Sequence, residues 1–372
     1  MSKQTREKLW CGCHFGEEEL SAMAYIGVDL HKKDFHTCYR RAGAAPTFNK
    51  YINDEEGLRR FIATLHSEDW VAVEASGAAR PFIFRIEPYV ERVIMVAPYQ
   101  FRLIAKSVKK SDRLDAAALA RGLEKDYLPE ARVRSENAVQ LHSVLTLRAN
   151  LVRETVQSCN CLGSMLQRKG KPLPRNQLTS LTKWREIRAF EWDWADAAYV
   201  RLLHEQFLAT KGRILKTEKV ITRIAEKFPG YDVLLSVPNI GPITAATLLA
   251  AIDGIDHFPC PKKLAAYIGI VPITRQSGSH RWGGRMTKFG DASARGLLCW
   301  AAWRAMYKNE SLYSFYDKIR KRRGAGKARS AVGRKFLYLL YFALKANRPV
   351  AHFEDLNFSD LKRTLPGALA RI

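Results

Sequence analysis

Four acidic residues in the first third of this 372-residue chain stand where a carboxylate needs a reason. Asp29 lies inside the apolar run Tyr25-Ile-Gly-Val-Asp-Leu30, where a charge is costly unless it is paired or binds a cation. Glu74 closes a second such run, Trp70-Val-Ala-Val-Glu74, and Asp112 and Asp115 are three apart, a spacing that puts both on one helix face. With Asp29 and Glu74 on neighbouring strands and the Asp112/Asp115 helix packed across them, the four carboxylates converge. Such a cluster repels itself in the absence of divalent metal, and its oxygen donors suit a pair of Mg²⁺ ions at a phosphate. Taken singly, each acid also has a structural use: Asp112 as a helix N-cap, Asp115 as its capping partner, Glu74 as a strand end. The basic flank Lys106, Lys109, Lys110 and Arg113 beside Asp112 supports the metal reading when the four acids are taken together.

A second group of reactive types lies far along the chain, between Tyr267 and Gly290. There a polar, Gly-rich loop combines Ser277 and Ser279 with Arg275, Arg281, Arg285 and Lys288. A serine in this setting is a candidate nucleophile toward a phosphodiester, with the arginines holding the developing charge; an ordinary phosphate-binding loop is the alternative. His280 is a possible base or simply a surface histidine. Upstream, residues 234–249 run from a hydrophobic helix end through Pro238-Asn-Ile-Gly241 into a small-residue helix, the pattern of a helix-hairpin-helix that offers backbone N–H groups to phosphate. Downstream, Lys318-Ile-Arg-Lys-Arg-Arg-Gly-Ala-Gly-Lys-Ala-Arg329 is too dense in charge for a merely solvated helix face. Lys321, Arg322 and Arg323 are its candidate phosphate contacts.

The elements that must position these groups are legible in the hydrophobic pattern. Short apolar runs at 25–30, 35–41 and 47–52 predict three strands, followed by a helix from Asn53 or Asp54 to His66, a strand at 70–74, a helix at 81–89, a strand at 92–97 and a helix at 112–123. Three strands and then helix–strand alternation describe a mixed α/β sheet. Residues 131–227 read as mostly helical, with apolar spacing at Leu141, Leu145, Leu147 and Leu151 and again at Ile214, Val220, Ile221 and Ile224. The breaker Lys169-Gly-Lys-Pro-Leu-Pro174 and a Trp-rich stretch interrupt the middle, which predicts an antiparallel coiled coil or helical arm. The tryptophans are expected to pack rather than stack on bases. The expected organisation is a leader at 1–22, a sheet module at 23–130, a helical linker at 131–230 and a mainly α module at 231–372.

Charge follows the same divisions. The net charge of +24 is distributed as −1 over residues 1–23, +2 over 24–130, +9 over 131–230 and +14 over 231–372. A nearly neutral, carboxylate-bearing module followed by two basic ones fits catalysis joined to nucleic-acid gripping. At 47% hydrophobic residues the chain can bury a core, which excludes a disordered basic tail. The charge-free run from Phe336 to Leu344 is far short of the roughly 20 residues that span a bilayer, so no membrane role is expected. The seven cysteines lack zinc-knuckle spacing, so a reduced, cytoplasmic protein is expected.

Taken in order, these motifs resemble a known family, the DEDD insertion-sequence transposases guided by a bridge RNA. Tyr25-Ile-Gly-Val-Asp-Leu-His-Lys32 resembles its opening strand, Val73-Glu-Ala-Ser-Gly77 its glutamate motif, and Lys110-Ser-Asp-Arg-Leu-Asp-Ala-Ala117 its paired-aspartate motif. The helix-hairpin-helix, Arg275-Gln-Ser-Gly278 and Gly284-Arg-Met-Thr-Lys-Phe-Gly290 resemble its C-terminal transposase domain, and the likeness spans about residues 23–350. The resemblance implies a RuvC-like, ribonuclease-H-type domain binding Mg²⁺ through Asp29, Glu74, Asp112 and Asp115. It also implies a serine that attacks DNA to form a covalent phosphoserine intermediate, donor and target DNA paired by a noncoding guide RNA, and a homo-oligomer reaching a tetramer in the synapse. Ser277 best matches that serine and Ser279 is its rival. Two other classes remain at this point: a metal-dependent junction nuclease using water, and a non-catalytic nucleic-acid binder whose acids are structural.

The basic run yields a measurable expectation. Replacing Lys321, Arg322 and Arg323 with Ala should reduce the slope of log affinity against log salt by up to about 3 units if all three touch duplex phosphates. An unchanged slope in a KCl titration would leave this run in solvent.

Overall fold

The protein is described by a computed structural model that covers residues 23–98, 101, 111–277 and 280–361, with the backbone alone for 274–277 and 280–285. The leader at 1–22, Lys106, Lys109, Lys110 and Ser279 lie outside the described residues. Residues up to Val133 form one compact unit and those from Arg134 onward a second.

In the first unit the apolar runs become a six-stranded sheet. Strands β1 (Tyr25–Leu30), β2 (Asp34–Arg40) and β3 (Thr47–Ile52) form an antiparallel meander. β1 then pairs in parallel with β4 (Trp70–Glu74), β4 with β5 (Arg92–Val96), and β6 (Glu130–Ala131) closes the edge antiparallel to β5. Helix α1 (Glu55–Ile62), capped by Asp54, stops short of the expected His66. Thr64 donates its hydroxyl to the Phe61 carbonyl at 2.7 Å, and the backbone tightens there into three-residue turns. Helix α2 (Ala79–Ile86) likewise gives way to a single 3₁₀ turn at Glu87–Tyr89, because Pro88 has no N–H to continue the ladder.

Strand alternation sorts the two faces of this sheet. Ile26, Val28, Phe35, Val71 and Val73 join the α1 and α2 side chains in one core, where the Phe35, Tyr51, Phe61 and Phe82 rings lie edge to face or stacked. Gly27, Asp29, Ala72 and Glu74 have the opposite parity. Helix α3 (Asp112–Glu124) lies on that side, burying Leu119 and Leu123 against Ala72, Ile94 and Val96 and setting Ala116 and Ala120 beside Cys38. A Cβ added at Gly27 would stand 2.1 Å from the Ala116 carbonyl oxygen and 2.5 Å from the Ala120 nitrogen, so the helix backbone rests directly on β1.

Among the described residues, the regular structure of the second unit is helical apart from one hairpin. Helices α4 (Glu136–Arg168) and α6 (Trp194–Ala225) run antiparallel: Arg148 pairs with Glu218, while farther out Cys159, Leu162 and Leu166 pack with Val200 and Phe207. Their seam differs from the expected spacing. Leu141, Leu151, Ile214 and Ile221 are buried, whereas Leu147 and Val220 are exposed. Helix α5 (Leu181–Arg188) closes the far end through buried Trp184, whose indole donates to the Leu178 carbonyl at 2.8 Å. Trp192 also packs there, and Trp194 is exposed.

Helices α7 (Tyr231–Leu235) and α8 (Pro242–Ile252) follow, and every residue of α8 from Ala245 to Ile252 is buried. Around this central rod pack α9 (Pro261–Ile268), α10 (Ala292–Ala305), α11 (Glu310–Arg323) and α12 (Ala325–Ala346). Asp253, just past α8, accepts from the backbone N–H and hydroxyl of Ser135, fixing the start of α4 on this core. Among the described residues no helix is long and apolar enough to cross a membrane.

The closeness at Gly27 carries a test. Gly27→Val should destabilise the first unit by about 1–3 kcal/mol, the usual cost of overpacking, whereas Gly77→Ala, which meets open space, should change it by less than about 0.5 kcal/mol. Urea unfolding midpoints for the two variants check this; equal midpoints would refute the close packing.

Candidate active site

Asp29 sits one residue from the end of β1, beside β4, with Glu74 at the end of that neighbour. Asp112 and Asp115 occupy the first turn of α3, where acids also meet the positive end of the helix dipole. The helix is capped by Ser111, whose side chain accepts from the Leu114 N–H at 3.3 Å. That removes capping as the use of Asp112 and leaves its carboxylate half-exposed at the sheet face. Asp29 is buried, and burial pushes its carboxyl above the usual range. His31 opposes that shift, while the charges of Asp115, Asp112 and Glu74 raise it further. All three other acids are therefore near enough for their fields to act on Asp29.

Two histidines that the sequence reading left aside belong to the same place. His31 Nε2 lies 3.2 Å from Asp29 Oδ2 and 3.4 Å from Asp112 Oδ1, and His36 Nε2 lies 3.7 Å from Asp112 Oδ2. The donor atoms of Asp29, His31 and Asp112 all fall within 4.8 Å of one another, and among the described residues this is the sole such group of three metal-ligating side chains. His31 follows Asp29 by two residues, so strand parity points to it. His36 is the register partner of Asp29 on β2, a relation that exists only once the meander is aligned. These donors suit a divalent cation: an imidazole meets two carboxylates, one of them the buried Asp29 on which the neighbouring acids act. Arg113, on the same helix turn, lies 4.1 Å over the Phe48 ring.

The serine-bearing segment is a β-hairpin rather than a loop. β7 (Pro272–Ser277) pairs antiparallel with β8 (His280–Met286), and Ser277 is the last paired residue before the tip, opposite His280. Arg275 pairs with Trp282 and Gln276 with Arg281 in the backbone register, and Arg285 lies on β8. The base is clamped to α9. Gly269 and Gly290 admit backbone so closely that a Cβ on Gly290 would meet the Tyr267 carbonyl oxygen at 2.1 Å, and Arg295 donates to the carbonyls of Ile268 and Gly290. Lys288, exposed in left-handed backbone, ends this clamp through its N–H to the Gly269 carbonyl. In the expected helix-hairpin-helix, Asn239 takes the left-handed conformation between α7 and α8.

Lys321, Arg322 and Arg323 form the last turn of α11 and are exposed, and the chain reverses into α12 through Gly324 at φ +81°. Lys321 shares Asp317 with Arg320, at 2.7 and 2.9 Å. Asn309 holds the other end of α11, accepting from the Leu312 N–H and donating to the Phe353 and Leu356 carbonyls.

A DEDD transposase profile of the IS110 type matches residues 26–170, which include all four acids, and the profile described as transposase IS116/IS110/IS902 family matches residues 231–317. The chain belongs to the IS110 family of transposases. The transposase for insertion sequence element IS1328 of Yersinia enterocolitica is 25% identical over 73% of this chain and 81% of its own length. The transposase for IS1111A of Coxiella burnetii is 23% identical over 83% and 86%. A protein described as the pilin gene-inverting protein of Moraxella bovis is 23% identical over 87% and 97%. This chain is accordingly a DNA transposase whose DEDD domain implies use of a divalent metal. The second profile ends before the basic turn of α11, so that turn lies beyond the matched stretch.

The electrostatics of this transposase carry a prediction. A carboxyl whose folded-state pKa is raised holds its proton more tightly in the folded chain than in the unfolded one. Asp29 therefore takes stability away as pH rises through its folded pKa. Asp29→Asn should leave the metal-free melting temperature at neutral pH unchanged or higher. The same change should abolish the stabilisation by divalent metal, which at a hundredfold excess over Kd amounts to about 2.7 kcal/mol in the parent. Retention of that stabilisation in a thermal melt would remove Asp29 from the metal centre.

Proposed function

We propose that this transposase excises and inserts an insertion sequence by cutting and rejoining DNA strands through a serine–phosphodiester intermediate, guided by a noncoding RNA that pairs with donor and target DNA. In this reading the mixed sheet is a ribonuclease-H-type, RuvC-like module, and Asp29, Glu74, Asp112 and Asp115 hold Mg²⁺. The observation that carries it is the buried Asp29 carboxyl at the meeting point of β1, β4 and α3, with three more acids acting on it. When bound, the ion supplies Lewis-acid neutralisation of phosphate charge.

The residues of the chain do the rest. The Ser277 Oγ gives up its proton to a base and forms a bond to phosphorus; one sugar oxygen leaves and takes up a proton as a hydroxyl. Rejoining reverses these changes with the hydroxyl of the incoming strand, so the phosphodiester is conserved and no nucleotide cofactor is consumed. Arg275, Arg281, Arg285 and Lys288 stabilise the charge that develops on the phosphoryl oxygens. Lys109, Lys110, Arg113, Lys321, Arg322 and Arg323 bind the backbone of the nucleic acid. The protein works as a homo-oligomer, a dimer that pairs into a tetramer in the synapse, in the bacterial cytoplasm. The position of Ser277 at the end of a clamped hairpin supports its role, because a nucleophile must be presented at a fixed place.

Trapping experiments test the nucleophile. Wild type incubated with its DNA should yield a denaturation-resistant protein–DNA adduct, Ser277→Ala should yield none, and Ser279→Ala should yield less. An adduct from Ser277→Ala but not from Ser279→Ala would transfer the role to Ser279. Cleavage without any adduct would leave a nuclease that uses water.

A further inference from the structure

The carboxylate cluster contains a nitrogen donor. His31 Nε2 stands 3.2 Å from an oxygen of Asp29 and 3.4 Å from an oxygen of Asp112. An imidazole nitrogen carries at most one hydrogen, so Nε2 can aim a linear bond at one of these carboxylates and not at both. Both separations instead approach the spacing of adjacent donors around one ion, since two ligands each about 2.1 Å from an octahedral centre are about 3.0 Å apart. The ring is half-exposed on the bend after β1, so it can adjust its position without disturbing the core. His36 stands on the other side of Asp112, facing Oδ2, while Oδ1 faces His31.

We infer that His31 Nε2 is a direct ligand of the divalent ion beside Asp29 and Asp112, and that this nitrogen shifts the preference of the site from Mg²⁺ toward Mn²⁺. The inference rests on the metal-centre reading above and adds an inner-sphere residue to it. A site of carboxylates alone suits Mg²⁺ and Mn²⁺ alike, but Mg²⁺ gains little from imidazole, whereas later divalent ions bind it well. His36 is a positioning residue: by engaging one oxygen of Asp112 it turns the other toward His31 and the ion, as outer-shell partners of carboxylate ligands do.

Electron-spin-echo envelope modulation on the full-length protein loaded with Mn²⁺ tests this without relying on turnover. The expected result is a ¹⁴N modulation that changes to the ¹⁵N pattern in protein grown with ¹⁵N-histidine, a comparison that needs no substitution. The modulation should vanish in His31→Gln and persist in His36→Gln. Titration of the free Mn²⁺ signal should show weaker binding by about tenfold in His36→Gln, within the range of outer-shell losses. In His31→Gln the loss should be greater for Mn²⁺ than for Mg²⁺ measured by displacement. Bound Mn²⁺ without nitrogen modulation, or modulation unchanged in His31→Gln, overturns the inference and leaves a purely carboxylate centre standing. Failure of the wild type to bind either ion overturns both the centre and the inference.

Discussion

Helix α3 can rest on β1 because Gly27 presents no side chain at the point of contact, and the acidic cluster depends on that contact. A methyl group at Gly27 would overlap the Ala116 carbonyl and the Ala120 amide, so any other residue lifts the helix or tilts it. The helix side contributes equally small groups, Ala116 and Ala120, both fully buried. Asp112 and Asp115 are carried on the first turn of the same rigid rod, so their distance from Asp29 is set by the fit a few residues along. Placing carboxylates on a strand end and a helix start, rather than on loops, fixes their geometry through backbone hydrogen bonds.

The arrangement is electrostatically unfavourable when viewed without a cation. Burial alone disfavours the charged form of Asp29, and three neighbouring acids add to the penalty. His31 offsets part of it, as does the N-terminus of α3, whose cap is left to Ser111. A fold that keeps such a cluster accepts local instability that a bound cation would relieve. This is the expected signature of a functional centre rather than of a structural ion pair.

In the second unit the same logic runs through backbone rather than charge. Helix α8, buried from Ala245 to Ile252, is the rod on which the other helices pack, and two features are presented from that core: the β7–β8 hairpin and the basic turn between α11 and α12. Glycine is required at both, at Gly269 and Gly290 because chain lies against chain, and at Gly324 because the turn takes a positive φ. The cations of the basic turn outnumber their partner Asp317, leaving charge free for a polyanion.

Much of the sheet unit was legible in the residues. Alternation and apolar runs placed β1 to β5 within a residue or two, and the spacing of Asp112 and Asp115 set both on one helix. The acids were visible because a carboxylate in an apolar run is conspicuous wherever the chain goes. Local pattern also gave the long helices and the rising positive charge toward the C-terminus. It misjudged the ends of α1 and α2, where Thr64 and Pro88 decide the stop, and it took Leu147 and Val220 for seam residues. Other features were beyond a linear reading. The pairing of β1 with β4, the register that sets His36 opposite Asp29, the seat of α3 on Gly27 and the folding of the 272–286 segment into a hairpin all join residues distant in sequence or depend on a turn whose geometry the residue types leave open. Periodicity is a short-range property of the chain and determined which face each residue takes; which faces meet is a long-range choice, made by close packing, and only the tertiary structure decided it.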